Sequence, residues 1–70
     1  MITFDKLWAL AAERGMSTHQ LRAKCGIDDK TIRRLQKNDN VGTKTLDKLS
    51  VALSCRLEDI AEYKDVDHWN

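Results

Sequence analysis

The three glycines of this chain, at positions 15, 26 and 42, divide it into short segments that proline never interrupts. Glycine readily adopts the left-handed backbone conformation that ends a helix. Between the glycines, apolar side chains recur at three- and four-residue intervals, which is the spacing of one helix face. No stretch alternates apolar and polar residues for long enough to predict a strand. The sequence therefore predicts an all-α fold built from short helices.

Local signals mark where these helices begin and end. Gly15 and Gly26 are predicted to end the first and second helices. Ser17 and Gln20 have the spacing of a capping box, and Asp28 is predicted as the N-cap of the third helix. The five predicted helices run from about Thr3, as N-cap, to Arg14, from about Thr18 to Lys24, from Asp28 onward, from a cap at Thr43, and from about Leu57 to Glu62.

The same spacing identifies a core. A chain of 70 residues buries only about 60% of the surface it exposes when unfolded, so every apolar face matters to its stability. The residues expected to face inward are Phe4, Leu7, Trp8 and Ala11, then Leu21 and Cys25, then Ile32 and Leu35, then Leu46, Leu49, Ala52 and Leu53, and finally Leu57 and Ile60, with Val41 as a plug from the loop.

Composition argues against several classes of function. No apolar run approaches the ~18 residues of a membrane span, and Asp5 and Lys6 come too early for the core of a signal peptide. We therefore expect a cytoplasmic protein without a membrane partner, in which Cys25 and Cys55 are reduced thiols. No nucleophile with its base, no pair of catalytic carboxylates, no phosphate-binding loop and no close pair of metal ligands can be assembled. We expect neither an enzyme nor a cofactor or metal site.

The net charge of +1 hides a strong polarity along the chain. Residues 22–37 carry six cationic and two acidic side chains, for a net charge of +4. Residues 57–70 carry five acidic side chains and one lysine, for a net charge of −4. A basic centre of this kind is typical of a surface that meets nucleic acid, and the acidic tail is expected to lie away from it.

The spacing within the basic segment predicts a helix-turn-helix. This motif has a core residue in its first helix, a glycine and an apolar residue in its turn, and two core residues in its second helix. In this chain these positions are, in order, Leu21, Gly26, Ile27, Ile32 and Leu35. With these positions facing inward, the residues left outside on the third helix are Asp29, Lys30, Arg33, Arg34 and Lys37. Arg and Lys can donate to guanine O6 and N7, and a carboxylate can accept from cytosine N4. The third helix is therefore predicted to read the major groove.

The helix-turn-helix belongs to a longer pattern, which comprises Leu7 to Leu10, Gly15 to Ser17, Leu21, Cys25 to Ile27, Thr31 to Leu35, Asn40, Val41, Thr45, Leu46, Leu49, Ala52, Leu53, Asp59 and Ile60. With this pattern the chain resembles, from about residue 3 to residue 62, the Cro/CI (XRE) helix-turn-helix family and especially its compact single-domain bacterial and phage members. The resemblance implies a compact five-helix lambda-repressor-like DNA-binding domain whose helices 2 and 3 form the helix-turn-helix. Arg22 departs from the family, which usually has alanine where the helices cross, so its stem must reach outward or the crossing must widen.

The resemblance also implies roles for individual positions. Base-reading candidates lie on the third helix, at Asp29, Lys30, Thr31, Arg33 and Arg34. Phosphate-binding candidates lie at the start of the second helix and in the loop and helix that follow the third, at Thr18, Lys37, Asn38, Asn40, Thr43 and Lys44. Asp29 has two interpretations, because a carboxylate there can accept from cytosine or can stabilise the positive end of the helix dipole.

Two functions follow as hypotheses. The first is sequence-specific binding of double-stranded DNA by a transcriptional regulator, a repressor that occupies its operator. Members of the resembled family commonly bind inverted repeats as dimers, and here a homodimer would use the late helices or the tail, or would form only on DNA. The alternative is an antitoxin or adaptor that binds a protein partner through its acidic tail and Trp69.

The predicted organisation is a helix-turn-helix domain over residues 1–62 and a C-terminal acidic tail over residues 63–70. Within the tail, Tyr63, Val66 and Trp69 are three residues apart. They would form one face of a last helical turn, either packed on the domain or docked on a partner, unless the terminus frays.

Overall fold

The computed structural model describes residues 1–65. This part of the chain is mostly helical, with four α-helices, one 3₁₀ helix and one antiparallel sheet of two short strands. In chain order the elements are β1 (Ile2–Thr3), α1 (Asp5–Glu13), α2 (Thr18–Cys25), α3 (Asp29–Gln36), α4 (Thr43–Leu53), the 3₁₀ helix (Leu57–Asp59) and β2 (Glu62–Tyr63). Within residues 1–65, no helix has the length and apolar character needed to cross a membrane.

The predicted helix ends around the second and third helices are confirmed. Gly15 and Gly26 both have a φ of +67°, which is the left-handed conformation expected after a helix. The Ser17 hydroxyl accepts the backbone N–H of Gln20 at 3.2 Å, and the Gln20 side chain accepts the backbone N–H of Ser17 at 2.9 Å. Asp28 caps α3 by accepting the backbone N–H of Thr31 at 2.8 Å. These local bonds fix where α2 and α3 start, and the left-handed Gly26 marks the end of α2.

One core joins the helices, and it contains most of the residues that the spacing predicted. The side chains of Leu7, Leu21, Leu35, Leu49, Leu53 and Ile60 are fully buried. Phe4, Cys25, Ile27 and Ile32 complete the cluster, while Trp8, Val41, Leu46 and Ala52 pack against it with part of their surface exposed. The six largest buried side chains come from all four α-helices and the segment after the 3₁₀ helix, so each element is held by the same core.

The prediction of a fifth α-helix from Leu57 to Glu62 was wrong. Only Leu57–Asp59 is helical, as a single 3₁₀ turn, and the chain then straightens into β2. Ile60 is buried as predicted, but Leu57 is 51% exposed. Ile60 lies after the 3₁₀ turn with a φ of −122°, so it does not continue the helix that Leu57 begins, and only Ile60 enters the core.

The expectation that the chain forms no strand was also wrong. Ile2 lies opposite Tyr63 and Thr3 lies opposite Glu62 in an antiparallel pair. The Met1 ammonium group donates to the Lys64 carbonyl at 2.8 Å, and the Lys64 N–H donates to the Met1 carbonyl at 2.7 Å. The sheet therefore ties the start of the chain to residues 62–64.

Two predicted caps lie one residue away from the observed ones. Phe4, not Thr3, is the N-cap of α1, because Thr3 belongs to β1 and is buried there. Gly42, not Thr43, is the N-cap of α4, and Thr43 is the first residue of that helix. Tyr63 lies in β2 rather than in a helical turn, and Val66 and Trp69 lie outside the described residues. The division between domain and tail stays a prediction.

The two cysteines are free thiols. Cys25 is buried at the end of α2, and Cys55 is half-buried after α4. Burial raises the pKa of both thiols. Both therefore stay protonated at neutral pH and act as small apolar side chains of the core.

Candidate nucleic-acid interface

Helices α2 and α3 are joined by a tight turn that the core holds from inside. The backbone N–H groups of Gly26 and Ile27 both donate to the Arg22 carbonyl, at 2.9 and 3.2 Å. The Ile27 side chain then enters the core beside Leu21 and Ile32. Because the turn residue and residues of both helices share one apolar cluster, the angle between α2 and α3 is fixed by packing. The predicted inward positions of the helix-turn-helix are confirmed.

The outward face of α3 is a row of cations. Lys30, Arg33 and Arg34 are exposed, and Lys37 follows as the C-cap residue. These positions are separated by three and four residues, so the four side chains lie on one side of the helix. Ile32 and Leu35 are buried on the opposite side. None of the ion pairs found among residues 1–65 involves these four cations.

Two carboxylates stand at the start of α3, and each has a defined partner. Hydrogen bonding to Thr31, from its side chain and its backbone N–H, lowers the pKa of Asp28. Asp29 Oδ1 lies 2.5 Å from Arg22 Nη1 in an ion pair that crosses the turn. The acidic charges that precede the cationic row are therefore engaged in a cap and an ion pair.

The side chain of Arg22, which lies where α2 and α3 cross, points outward. Its side chain is 32% exposed, so the stem is covered while the guanidinium reaches the surface. Arg22 Nη1 contacts Asp29, and Arg22 Nη2 lies 3.1 Å from Nδ1 of His19. Sequence reasoning predicted the outward stem as one of two alternatives but missed the ion pair. The opposite charges seven residues apart across a predicted turn were the signal that could have found it.

Thr31, the remaining base-reading candidate, and Thr18, the first phosphate-binding candidate, lie beside the cationic face of α3. Thr31 is half-buried on α3, so less of its side chain is accessible than of the cations beside it. Thr18 is exposed as the first residue of α2. A hollow of about 110 Å³ between α2 and α3 is lined by Thr18, His19, Arg22 and Asp29 together with Ile32. Thr18 and the Arg22–Asp29 pair therefore open onto the same surface.

The other phosphate candidates are in the loop after α3 and in the first turn of α4. Lys37 and Asn40 are exposed in or beside the loop, and Thr43 and Lys44 are the first two residues of α4. The N-cap Gly42 has no side chain, so no side-chain hydrogen bond caps α4. Asn38 differs from this set, because its Oδ1 accepts the backbone N–H of Phe4 at 2.8 Å. Its carbonyl oxygen is used within the fold, and only its amide nitrogen is left for a phosphate.

Comparison with known proteins agrees with this geometry. Residues 6–65 match the family model of the Cro/C1-type HTH DNA-binding domain. The chain belongs to this family. All eleven candidate contact residues, which lie between positions 18 and 44, fall inside the matched segment of this Cro/C1-type domain.

A solved relative of the Cro/C1-type domain is the transcriptional regulator VanUg, known from a crystal structure. The two chains superpose with a TM-score of 0.83 and are 34% identical in sequence. The match covers 87% of this chain and 81% of VanUg. A search of curated proteins found no match. The fold and the family are therefore shown, whereas the roles of the individual contact residues stay predictions.

Proposed function

We propose that this Cro/C1-type protein is a sequence-specific transcriptional regulator that represses by occupying an operator in double-stranded DNA. The observation that carries the proposal is the row of Lys30, Arg33, Arg34 and Lys37 along the outward face of α3. None of the ion pairs among residues 1–65 uses these charges. A cationic helix face held on a rigid helix-turn-helix is what the major groove of DNA accepts.

Base reading is assigned to the exposed side chains near the start and middle of α3. The Arg34 guanidinium can donate two parallel hydrogen bonds to O6 and N7 of guanine, and Lys30 can donate to either acceptor. Arg33 lies beside them on the same face, and the methyl group of the half-buried Thr31 can contact a thymine methyl group. Arg34 and Lys30 are thus the principal readers in this proposal.

Phosphate binding is assigned to the elements that flank α3. The first N–H groups of a helix point outward without intrahelical partners, and they attract phosphate oxygens. α4 begins with Thr43 and Lys44, and its cap residue Gly42 provides no competing side chain. Thr18 at the start of α2 and Lys37 with Asn40 in the loop supply contacts on either side. These contacts would set the register of α3 in the groove without reading sequence.

Repression follows from occupancy, because a protein seated in the major groove excludes other proteins from the same base pairs. A dimer on an inverted repeat would place the two copies of α3 about 34 Å apart, which is one turn of DNA. In this proposal the two copies meet through the late elements of the chain or assemble only when DNA holds them together.

Selection from random double-stranded oligonucleotides with the purified protein tests this proposal. We expect an enriched motif with two half-sites spaced by about one helical turn. On that site the plot of log affinity against log salt concentration should fall with a slope near −0.9 for each phosphate contacted. Binding that does not respond to salt, or selection that enriches no motif, would contradict the proposal.

A second candidate function is that of an antitoxin or adaptor that binds a protein partner through the tail. The observation in its favour is an apolar surface beside the start of the tail, where Met1 is hydrogen-bonded to Lys64. Met1, Ile2 and Leu57 are each about half exposed and line one cavity of about 410 Å³. A reporter gene under the selected operator separates the two functions. If DNA binding is the function, Arg34→Ala abolishes repression and Leu57→Asp preserves it, whereas the reverse pattern favours the protein partner.

A further inference from the structure

We infer that Arg22 and Asp29 act as one specificity-determining unit, in which Arg22 holds the Asp29 carboxylate so that its second oxygen accepts a hydrogen bond from the N4 amino group of a cytosine. This inference rests on the proposed DNA-binding function and extends it to Arg22, a residue of α2 that is not among the base-reading candidates. Asp29 is the residue that touches the base, and Arg22 is a positioning residue.

Asp29 is the first residue of α3, and the N-terminal residues of a recognition helix are the ones that reach base edges. Its side chain is 68% exposed, on the surface that also carries Thr18. Oδ1 is taken by Arg22 at 2.5 Å, and no hydrogen bond or ion pair between described residues involves Oδ2. The second oxygen is therefore available to a donor from outside the protein.

The ion pair also changes how the charge of Asp29 meets the DNA backbone. An unpaired carboxylate at the DNA surface would be repelled by the phosphates on both sides of the groove. The ion pair with Arg22 offsets this repulsion without removing the acceptor character of Oδ2. In the major groove the exocyclic amino groups are the donors, and the cytosine N4 amino group is the one that carboxylates accept from. The unit therefore selects cytosine opposite the start of α3.

The orientation of the Arg22 guanidinium is fixed by a second contact, with His19. An Arg guanidinium has donors only, so Nδ1 of His19, at 3.1 Å from Arg22 Nη2, must be the acceptor in that contact. The planar guanidinium is thus held at two ends, by His19 on α2 and by Asp29 on α3. A lysine at position 22 would keep the charge but could not make both contacts in the same fixed plane.

Titrations of single and double variants against the selected operator test this inference. The same titrations use copies of the operator in which each position carries, in turn, each of the other three bases. The wild-type protein should prefer cytosine by about tenfold at one position of each half-site. Asp29→Ala and Arg22→Met should each reduce that preference below about threefold at the same position, and the double variant should lose no more than either single one. Arg22→Lys should behave like Arg22→Met, although it keeps the charge.

The controls separate folding and general electrostatics from base recognition. Arg22→Met retains the covered stem, and its circular dichroism and melting curve should match those of the wild-type protein. Arg56→Ala removes another arginine–carboxylate pair, with Glu58 at 3.8 Å and far along the chain from the helix-turn-helix, and should leave the base preference unchanged.

Three results would overturn the inference. Retention of the cytosine preference in Arg22→Met would show that Arg22 does not position Asp29. If Arg22→Met lost the same affinity on all sequences and had a smaller salt slope, Arg22 would be a phosphate contact only. Tighter binding of Asp29→Ala to every sequence would make Asp29 a repulsive charge only. If the wild-type protein itself showed no salt-dependent, sequence-selective binding, the proposed function would fail, and this result differs from all three.

Discussion

The side chain of Asn38 joins the end of α3 to the start of α1, because its Oδ1 accepts the backbone N–H of Phe4 at 2.8 Å. Asn38 also has a φ of +58°, a left-handed conformation that asparagine tolerates better than most residues. Phe4 is the N-cap of α1, and its side chain is buried in the core. Besides the core packing of Ile32 and Leu35, this hydrogen bond therefore ties the end of α3 to the start of α1.

Asn38→Ala should destabilise the domain. The substitution leaves the Phe4 N–H without its partner, and alanine tolerates the left-handed conformation at position 38 less well than asparagine does. Loss of one part-buried hydrogen bond costs about 1–3 kcal/mol, and urea unfolding measures it. Asn40→Ala is the matched control and should stay within about 0.5 kcal/mol of the wild-type free energy of unfolding. An Asn38→Ala variant as stable as this control would show that the contact with Phe4 contributes nothing.

Gly26→Ala should destabilise the domain through its backbone alone. Gly26 has a φ of +67°, and a β-carbon there would meet no atom within 4 Å. With no steric clash, the expected cost is the roughly 1–2 kcal/mol of a left-handed residue with a β-carbon. Gly26→Asn should cost less, since asparagine visits this conformation more readily. Equal stability of Gly26→Ala and the wild-type protein in thermal or urea unfolding would show that the turn relaxes to another conformation.

Asp28 should make the stability of the domain depend on pH in the acid range. Hydrogen bonding to Thr31 lowers the pKa of Asp28 from an ordinary value of 3.8. A carboxyl whose pKa is lowered in the folded state binds its proton more readily when unfolded. Its contribution is therefore fully present above about pH 4 and is lost as the pH falls through the lower, folded-state pKa.

Asp28→Asn is the variant that isolates this contribution. Asparagine is also a good N-cap, so α3 should remain capped while position 28 no longer titrates. The free energy of unfolding, measured by urea denaturation from pH 6 down to pH 2, should fall less steeply in the variant. Identical pH profiles would mean that Asp28 has the same pKa in the folded and unfolded chains.

Those parts of the fold that depend on neighbours in sequence could be predicted. The capping box of Ser17 and Gln20, the Asp28 cap and the left-handed Gly26 each involve residues at most four positions apart. The buried face of α3 followed from the spacing of Ile32 and Leu35 for the same reason.

The features that sequence reasoning missed depend on contacts between distant residues. Each strand has only two residues, which is too few for an alternating pattern, and Ile2 pairs with Tyr63 across nearly the whole chain. The bond between Asn38 and Phe4 likewise spans 34 positions. In the candidate site, the exposed row on α3 could be predicted from periodicity, whereas the Arg22–Asp29 pair depends on how α2 and α3 cross.

Arg34→Ala should change which DNA sequence the protein prefers as well as how tightly it binds. Arg34 is exposed on the outward face of α3, and no ion pair found among residues 1–65 holds its guanidinium inside the protein. If it reads a guanine, its removal should cost about 1–3 kcal/mol on the best site and relax the preference at one position of each half-site. Binding to non-specific DNA should weaken less, because only the charge is lost there.

Titrations of the variant against the selected operator and its single-base variants measure this difference. Arg56→Ala is the matched control, since Arg56 is exposed and pairs with Glu58. It removes one positive charge outside the helix-turn-helix and should leave the base preference intact. Lys30→Ala should relax the preference at a different position, because Lys30 lies one turn closer to the start of α3. If Arg34→Ala instead loses the same affinity on every sequence, and the salt slope falls by about one contact, Arg34 binds a phosphate and the reading of bases belongs to its neighbours.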